Sequence, residues 1–271
     1  MQNDDWEFDF EIDGVEDPEA NPRPHKERKK FAVLFQDEHL IAFDKASGVA
    51  TIRERFEVGT SLKEIAEQRH GRLWTVHRID KDTSGVVLFA RNAETHKALN
   101  DQFEQRTAIK QYAAILEGEM MEEEMTIDIP IVTDPAHPGR MKPSAIGKPS
   151  LTALKLRERF RGFTFAEARP HTGRQHQIRV HCRAVGYPLA VDPMYGNQEK
   201  ILLSTLKRKF KDYGRPEQPL IDRLTLHAEQ LTVTHPATGQ PITFHAELPR
   251  DLRALLTQLR KVRKVEDTHL P

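Results

Sequence analysis

Two segments of the chain place charged side chains beside apolar ones. Residues 77–85 read His-Arg-Ile-Asp-Lys-Asp-Thr-Ser-Gly and lead directly into the apolar run Val86–Ala90, which is typical of a buried strand. Residues 169–181 read Arg-Pro-His-Thr-Gly-Arg-Gln-His-Gln-Ile-Arg-Val-His. Charged groups at the edge of a core form either a plain surface turn or an active site, because burying a charge without a partner is costly.

Arg179 in the second segment is a candidate partner for a carboxylate of the first. In the helix predicted after the Thr-Gly dipeptide it lies beside the apolar Ile178 and Cys182, so its guanidinium is expected to need an anion. Asp80 or Asp82 can supply one, and such pairing keeps a carboxylate ionised. An ionised, oriented carboxylate can act as a nucleophile on a sugar carbon. By spacing alone, a structural ion pair or plain surface charge is the simpler interpretation.

Other chemistries lack their motifs in this sequence. His176 and His181 are five residues apart, which is unsuited to one helical face, and no His-Glu-x-x-His occurs, so no metal site is expected. A lone cysteine, Cys182, excludes internal disulfides and a multi-cysteine zinc site. Neither a phosphate-binding Gly-rich loop nor Gly-x-Gly-x-x-Gly is present, so nucleotide cofactors have no support. Ser84 is outside any Gly-x-Ser-x-Gly elbow and is expected to shape a turn.

Formal charge is divided unevenly along a chain whose net charge is zero. The first 22 residues hold nine acidic residues and no basic one, a composition that predicts a disordered, solvated leader. The remainder carries 32 acidic against 41 basic residues, a net charge of +9. This basic excess favours nucleic acid as the partner, and the leader would compete weakly for the same surface.

Short strands dominate the elements that must position these groups. Strands are predicted at residues 31–35, 40–43, 86–90, 111–116, near 126, and at 151–156, 163–168, 224–226, 231–234 and 242–245. Helices are predicted at 61–69, where Ser-Leu-Lys-Glu fits a capping box, at 93–105, after residue 173, at 200–212 and at 251–265. The pattern predicts a mixed chain with mainly antiparallel strands.

Targeting and membrane signals are not evident in the sequence. No apolar run approaches the ~20 residues of a membrane helix, and the first residues lack the basic and apolar regions of a signal peptide. We therefore expect a cytoplasmic protein without a membrane partner, and a monomer is the default expectation.

In its motifs the chain resembles the RluA-type pseudouridine synthases. His77–Asp80 with Thr83–Gly85 is similar to the family's catalytic signature, His-Arg-Leu-Asp-x-x-Thr-Ser-Gly. Residues 172–181 resemble its Thr-Gly-Arg-x-His-Gln-Ile-Arg-x-His. Shorter matches follow in the family's order between residues 31 and 248, at Asp44–Gly48, Lys110–Ala114, Gly186–Pro188, Asp192, Tyr195–Gly196, Leu226–Ala228, His235–Pro236 and Thr238–Gly239. Asp44 and Ala46 replace the usual Asn and Pro, and no S4-type RNA-binding domain is expected before the core.

The resemblance implies an α+β pseudouridine-synthase fold, with a mixed, mainly antiparallel bipartite sheet flanked by helices around a central catalytic cleft. It implies that Asp80 acts on the ribose of a flipped-out uridine and that Arg179 pairs with this aspartate. Tyr112 would stack on the target base and help to remove the proton from C5. The residues implied to contact RNA are Arg78, His77, Lys110, Arg174 and His176.

The implied activity is the isomerisation of uridines in ribosomal or transfer RNA to pseudouridine, without a cofactor or metal. Residues 1–28 would form the acidic tail, 29–248 the catalytic domain, and 249–271 a C-terminal helix and tail. The basic segment 200–212 would be either an extra RNA contact or a solvated helix face. Two rivals are a catalytically silent RNA-binding or ribosome-assembly protein on the same fold, and a metal-dependent nuclease; the sequence lacks the clustered acids or metal-spaced histidines that the nuclease needs.

Overall fold

The computed structural model describes residues 30–53, 59–207, 209–211, 214 and 216–265, so the acidic leader lies outside the described residues. Within these ranges the strands are β1 (Phe31–Gln36), β2 (Leu40–Lys45), β3 (Trp74–Thr75), β4 (Ser84–Ala90), β5 (Ile109–Glu117), β6 (Glu124–Asp128), β7 (Ile131–Thr133), β8 (Met141–Pro143), β9 (Leu151–Phe160), β10 (Phe163–Pro170), β11 (Leu226–Thr234) and β12 (Pro241–His245). The helices are α1 (Leu62–His70), α2 (Ala93–Glu104), α3 (Gln177–Ala184), α4 (Leu203–Leu206) and α5 (Arg250–Val262).

Ten strands form one sheet in the order β1-β2-β4-β11-β5-β10-β9-β6, with β3 paired to β4 and β12 to β11; β7 and β8 form a separate hairpin. Every pairing in the main sheet is antiparallel except that of β4 with β11. This parallel joint is short and connects two antiparallel halves. The predicted mainly antiparallel, bipartite α+β fold is confirmed.

Gly85 permits the close approach of the two halves. Its φ is +114°, and a Cβ placed there would lie 2.2 Å from the carbonyl oxygen of Ala228 on β11. Since only glycine combines this backbone conformation with the missing side chain, the glycine before the apolar run is required by the sheet joint.

Helices α5 and α3 cover opposite faces of the half of the sheet that contains β5 and β10. The leucines of α5, Leu252, Leu255, Leu256 and Leu259, are buried in one core cluster with residues of β5 and β10. On the other face, Ile178 and Cys182 of α3 pack against Ala166 and Ala168 of β10. The sequence predicted that the apolar residues of each of these two helices lie on one face. Helix α3 therefore packs on the sheet through its apolar face.

Most predicted elements are observed, with four differences, one of which is the two-residue strand β3, which was not predicted. The capping box of α1 is present, with Ser61 and Glu64 bonding to each other's backbone N–H. The predicted helix at 200–212 is wrong, because α4 ends at Leu206 and Lys207 is extended. Burial of Ile201 and Leu206 in the α5 core outweighs the helical preference of that run. The hairpin β7–β8 was missed in a segment rich in Pro and Gly, and residues 231–234, predicted as a separate strand, continue β11.

No helix in the described part of the chain is long and apolar enough to span a bilayer.

Candidate active site

A cleft of about 1170 Å³ lies between the loop before β4, the start of β5 and the segment that leads into α3. All eight residues proposed from the sequence line it: Asp80, Tyr112, Arg179, Arg78, His77, Lys110, Arg174 and His176. The fold thus brings together positions separated by as much as a hundred residues, and the cleft is the candidate active site.

Asp80 lies in the turn that precedes β4. Its backbone carbonyl accepts from the N–H of Thr83 at 3.1 Å, and its carboxylate is 23% exposed, so it can meet a substrate. The preceding Ile79 is buried. Thr51 Oγ1 donates to the Ile79 carbonyl at 2.9 Å and accepts from the Ile79 N–H at 3.3 Å. These bonds fix the backbone on both sides of the Asp80 carboxylate.

Lys45 supports the same turn from beneath. Its ammonium group is fully buried and donates to three backbone carbonyls, including those of Val49 at 2.6 Å and Lys81 at 2.8 Å. Burial lowers the pKa of Lys45 to about 7, against the opposing charges of Asp82 and Asp80. Sequence reasoning assigned this lysine no function, although it stands in the motif Asp-Lys-Ala-Ser-Gly.

Arg179 contacts Asp80 but is anchored by a different carboxylate. Its Nη1 lies 3.3 Å from Asp80 Oδ2, whereas Nε and Nη2 each donate to Asp192 at 2.8 Å. The guanidinium is 5% exposed and the Asp192 carboxylate 1%. Such a fork is the stronger geometry for an arginine and a carboxylate. The sequence interpretation offered Asp80 or Asp82 as the partner and missed Asp192, which lies in a loop after α3.

Tyr195 joins the arginine to a histidine of the cleft. The Arg179 guanidinium lies 4.9 Å from the centre of the Tyr195 ring. The Tyr195 hydroxyl accepts from the N–H of Met141 and bonds to His176 Nδ1, both at 2.8 Å. His176 is the N-cap of α3 with φ of 53°, and this left-handed backbone places its Nε2 4.0 Å from Asp80 Oδ2. Burial lowers the pKa of His176, while the charge of Asp80 opposes that shift.

Tyr112 forms part of the cleft floor. It stands on β5 between Ala168 of β10 and Ala228 of β11, and its ring is partly buried against two core clusters. Burial and the nearby charge of Asp80 raise the pKa of Tyr112. The side chain is therefore a neutral phenol that lines the cleft.

Basic side chains surround this floor. Lys110 Nζ donates to the carbonyl of Thr172 at 3.1 Å, and burial, aided by the charge of Arg106, lowers its pKa to about 8. Arg174 Nε donates to the carbonyl of Pro149 at 3.3 Å. Arg78 is exposed at the cleft. These cations give the cleft a surface suited to a polyanion.

His77 differs from the other candidates because its ring is used within the protein. Its Nε2 accepts from the N–H of Leu88 at 3.0 Å, and the ring stacks on Phe103 with a centroid separation of 5.0 Å. Burial lowers the pKa of His77 to about 3. The imidazole is thus neutral and ties the segment just before Asp80 to β4; an RNA contact for it stays a prediction.

The arrangement provides a carboxylate paired with an arginine, an aromatic side chain and cations, which suit a reaction on the sugar of an unstacked nucleotide. Among the described residues no group of three or more His, Cys, Asp and Glu side chains is arranged to hold a metal ion.

Comparisons with known proteins agree with this chemistry. A sequence profile of the family described as RNA pseudouridylate synthase matches residues 39–184. Ribosomal large subunit pseudouridine synthase D of Nitrosomonas europaea is 34% identical over 250 residues, which cover 89% of this chain and 69% of that protein. Ribosomal large subunit pseudouridine synthase C of Escherichia coli K12 is 32% identical, with coverage of 85% and 70%.

Solved structures show the same architecture. Human RNA pseudouridylate synthase domain containing 4 superposes with a TM-score of 0.64 and 25% identity, covering 84% of this chain and 93% of that one. A second solved structure, human RNA pseudouridylate synthase domain containing 1, superposes with a TM-score of 0.61 at 23% identity and supports the fold. The profile spans more than half of the chain and encloses the turn that carries Asp80, β5 and the whole of α3. The chain therefore belongs to the RluA-type family of RNA pseudouridine synthases.

Proposed function

We propose that the protein isomerises specific uridines in large-subunit ribosomal RNA, with Asp80 as the catalytic residue. The observation that carries the assignment is the Asp80 carboxylate held 3.3 Å from Arg179 and partly exposed in a cleft floored by Tyr112. The ribosomal substrate is inferred from the names of the relatives, and transfer RNA is the alternative that the experiment distinguishes.

The reaction breaks the bond from ribose C1′ to uracil N1, turns the base and rejoins it through C5. Asp80 acts on the ribose, either by adding at C1′ or by abstracting a ribose proton. The target base must leave its helix to reach this carboxylate, at a cost of about a few kcal/mol. We propose that Arg78, exposed at the cleft, fills the vacated space and that Lys110, Arg174 and His176 contact the flanking RNA.

Tyr112 is proposed to stack on the flipped uracil. Its raised pKa favours the neutral phenol in the free enzyme, which suits stacking and means that removal of the C5 proton by Tyr112 would require a change in its environment on binding. The catalytic domain is proposed to span residues 29–248 and to act in the cytoplasm as a monomer, without a cofactor or metal.

The test is to map pseudouridines in ribosomal and transfer RNA from a deletion strain carrying wild-type protein, Asp80→Asn protein or neither. We expect one or more ribosomal sites to disappear in the deletion strain and to return with the wild type alone. If pseudouridines disappear only from transfer RNA, the substrate is transfer RNA and not ribosomal RNA. Unchanged maps, or restoration by Asp80→Asn, would contradict the proposed catalytic function.

A further inference from the structure

A second basic surface lies far from the active site. A cavity of about 680 Å³ is lined by Arg161, Thr205, Leu206, Lys207, Lys209, Val262 and Arg263. We call the four cations of this set, Arg161, Lys207, Lys209 and Arg263, the distal basic patch. They come from the β9–β10 turn, the segment after α4 and the end of α5, so the tertiary fold collects them. The lining contains no acidic residue.

The charges of the distal basic patch lack carboxylate partners within the described residues. Arg161 Nη2 donates to the carbonyl of Val262 at 3.3 Å, and Arg263 Nη2 to that of Thr205 at 2.9 Å. These neutral acceptors orient the guanidinium groups without cancelling their charge. One turn earlier on α5, by contrast, Arg260 is neutralised by both oxygens of Glu158.

Arg263 adds an unsatisfied donor to this surface. Its Nε is buried and has no hydrogen-bond partner among the described residues. A buried donor without an acceptor costs ~1–3 kcal/mol, and such groups in folded proteins call for an explanation such as a bound ion or ligand. An anion held at the distal basic patch would supply the missing negative charge.

An exposed aromatic side chain follows directly in the sequence. Phe210, next to Lys209, is 39% exposed, one of the few large apolar residues of the described chain that are open to solvent. RNA-binding surfaces commonly combine cations that bind phosphates with an exposed aromatic ring that stacks on a base.

The patch and the cleft lie at opposite ends of β10. Pro170 lines the catalytic cleft, whereas Arg161 precedes the first residue of the strand, Phe163. Eight residues at ~3.3 Å each separate the two sites by about 25 Å. An RNA that reaches both must therefore extend well beyond the flipped uridine and its neighbours.

We propose that the distal basic patch is a second RNA-binding surface, which holds the phosphate backbone of a part of the substrate remote from the target uridine. This inference rests on RNA being the substrate, as proposed above. It predicts that the enzyme binds large, folded RNA more tightly than a minimal stem-loop, through charges that take no part in the reaction.

The experiment compares two RNAs: full-length large-subunit ribosomal RNA and a stem-loop of about 20 nucleotides that carries the mapped uridine. The variant is Lys207→Glu/Lys209→Glu, since neither side chain has a described hydrogen bond or ion pair to lose. Lys97→Glu/Arg69→Glu, at exposed positions on α2 and α1, is the control with the same change in net charge. Dissociation constants and turnover are measured for each protein across a range of salt concentrations.

We expect the patch variant to bind the full-length RNA at least about tenfold more weakly than the control. The slope of log binding constant against log salt concentration should be smaller in magnitude by about 1–2, because two phosphate contacts are lost. Stem-loop binding and turnover should match the control. An equal loss in both variants, or an equal loss on both RNAs, would overturn the proposal. A gain in RNA affinity would instead identify the patch as a docking site for the acidic leader. Failure of the wild type to modify either RNA would contradict the proposed function itself.

Discussion

Asparagine substitutions at Asp80 and Asp192 separate the chemistry of the active site from its stability. Both carboxylates bind Arg179, but in different ways. Asp192 is 1% exposed and holds the guanidinium through two bonds of 2.8 Å, whereas Asp80 is 23% exposed and makes one contact of 3.3 Å. We therefore expect Asp192→Asn to destabilise the fold and Asp80→Asn to remove activity while leaving the fold intact.

The magnitudes follow from burial. Removing one partner of a buried ion pair costs ~3–5 kcal/mol, because the remaining charge is left without compensation. At ~2–4 °C per kcal/mol for a chain of this size, Asp192→Asn should lower Tm by about 6–20 °C. A partly exposed ion pair contributes only ~0–1 kcal/mol, so Asp80→Asn should shift Tm by no more than a few degrees.

The assay combines urea and thermal denaturation, followed by circular dichroism, with pseudouridine formation in ribosomal RNA. Asp101→Asn, at an exposed position of α2, is the matched control and should change neither quantity. Equal destabilisation by the two variants, or a larger effect at Asp80, would show that Arg179 is anchored by Asp80 and not by Asp192, and the reasoning from burial would be refuted.

Three further predictions concern the supports of the cleft. The folded-state pKa of Lys45, about 7, lies below its unfolded value of ~10.4. Between these two pH values the unfolded chain binds more protons than the folded one, so the free energy of unfolding should rise with pH across this window. In Lys45→Met this part of the rise should be absent, as urea titrations at pH 7 and pH 9 will show; an unchanged slope would contradict it. Tyr112→Phe should bind RNA as the wild type does, while Tyr112→Leu should bind it ~1–3 kcal/mol more weakly, and equal binding by both would argue against stacking. Gly85→Ala should cost more than ~3 kcal/mol in urea denaturation, since its Cβ would lie 2.2 Å from the Ala228 carbonyl at a strained φ, and a near-wild-type midpoint would refute the close approach of β4 and β11.

Local interactions made parts of this fold predictable. The helix α1 begins where the sequence indicates, because Ser61 and Glu64 are three residues apart and satisfy each other's backbone N–H groups. The apolar faces of α3 and α5 follow from the 3.6-residue period. The helix predicted at 200–212 was wrong because its sequence preference competes with burial of Ile201 and Leu206 in a core that distant residues build.

The sequence by itself determined which segments carry charged groups beside apolar ones, and its motifs indicated the family and eight of the residues that line the cleft. Tertiary structure decided how those groups are held. Asp192, in place of Asp80, became the fork partner of Arg179, and Lys45 reached the carbonyl of Lys81, 36 positions away. These contacts depend on which loops the sheet brings together, and the energy of a buried ion pair depends on its exposure and geometry, neither of which residue spacing records.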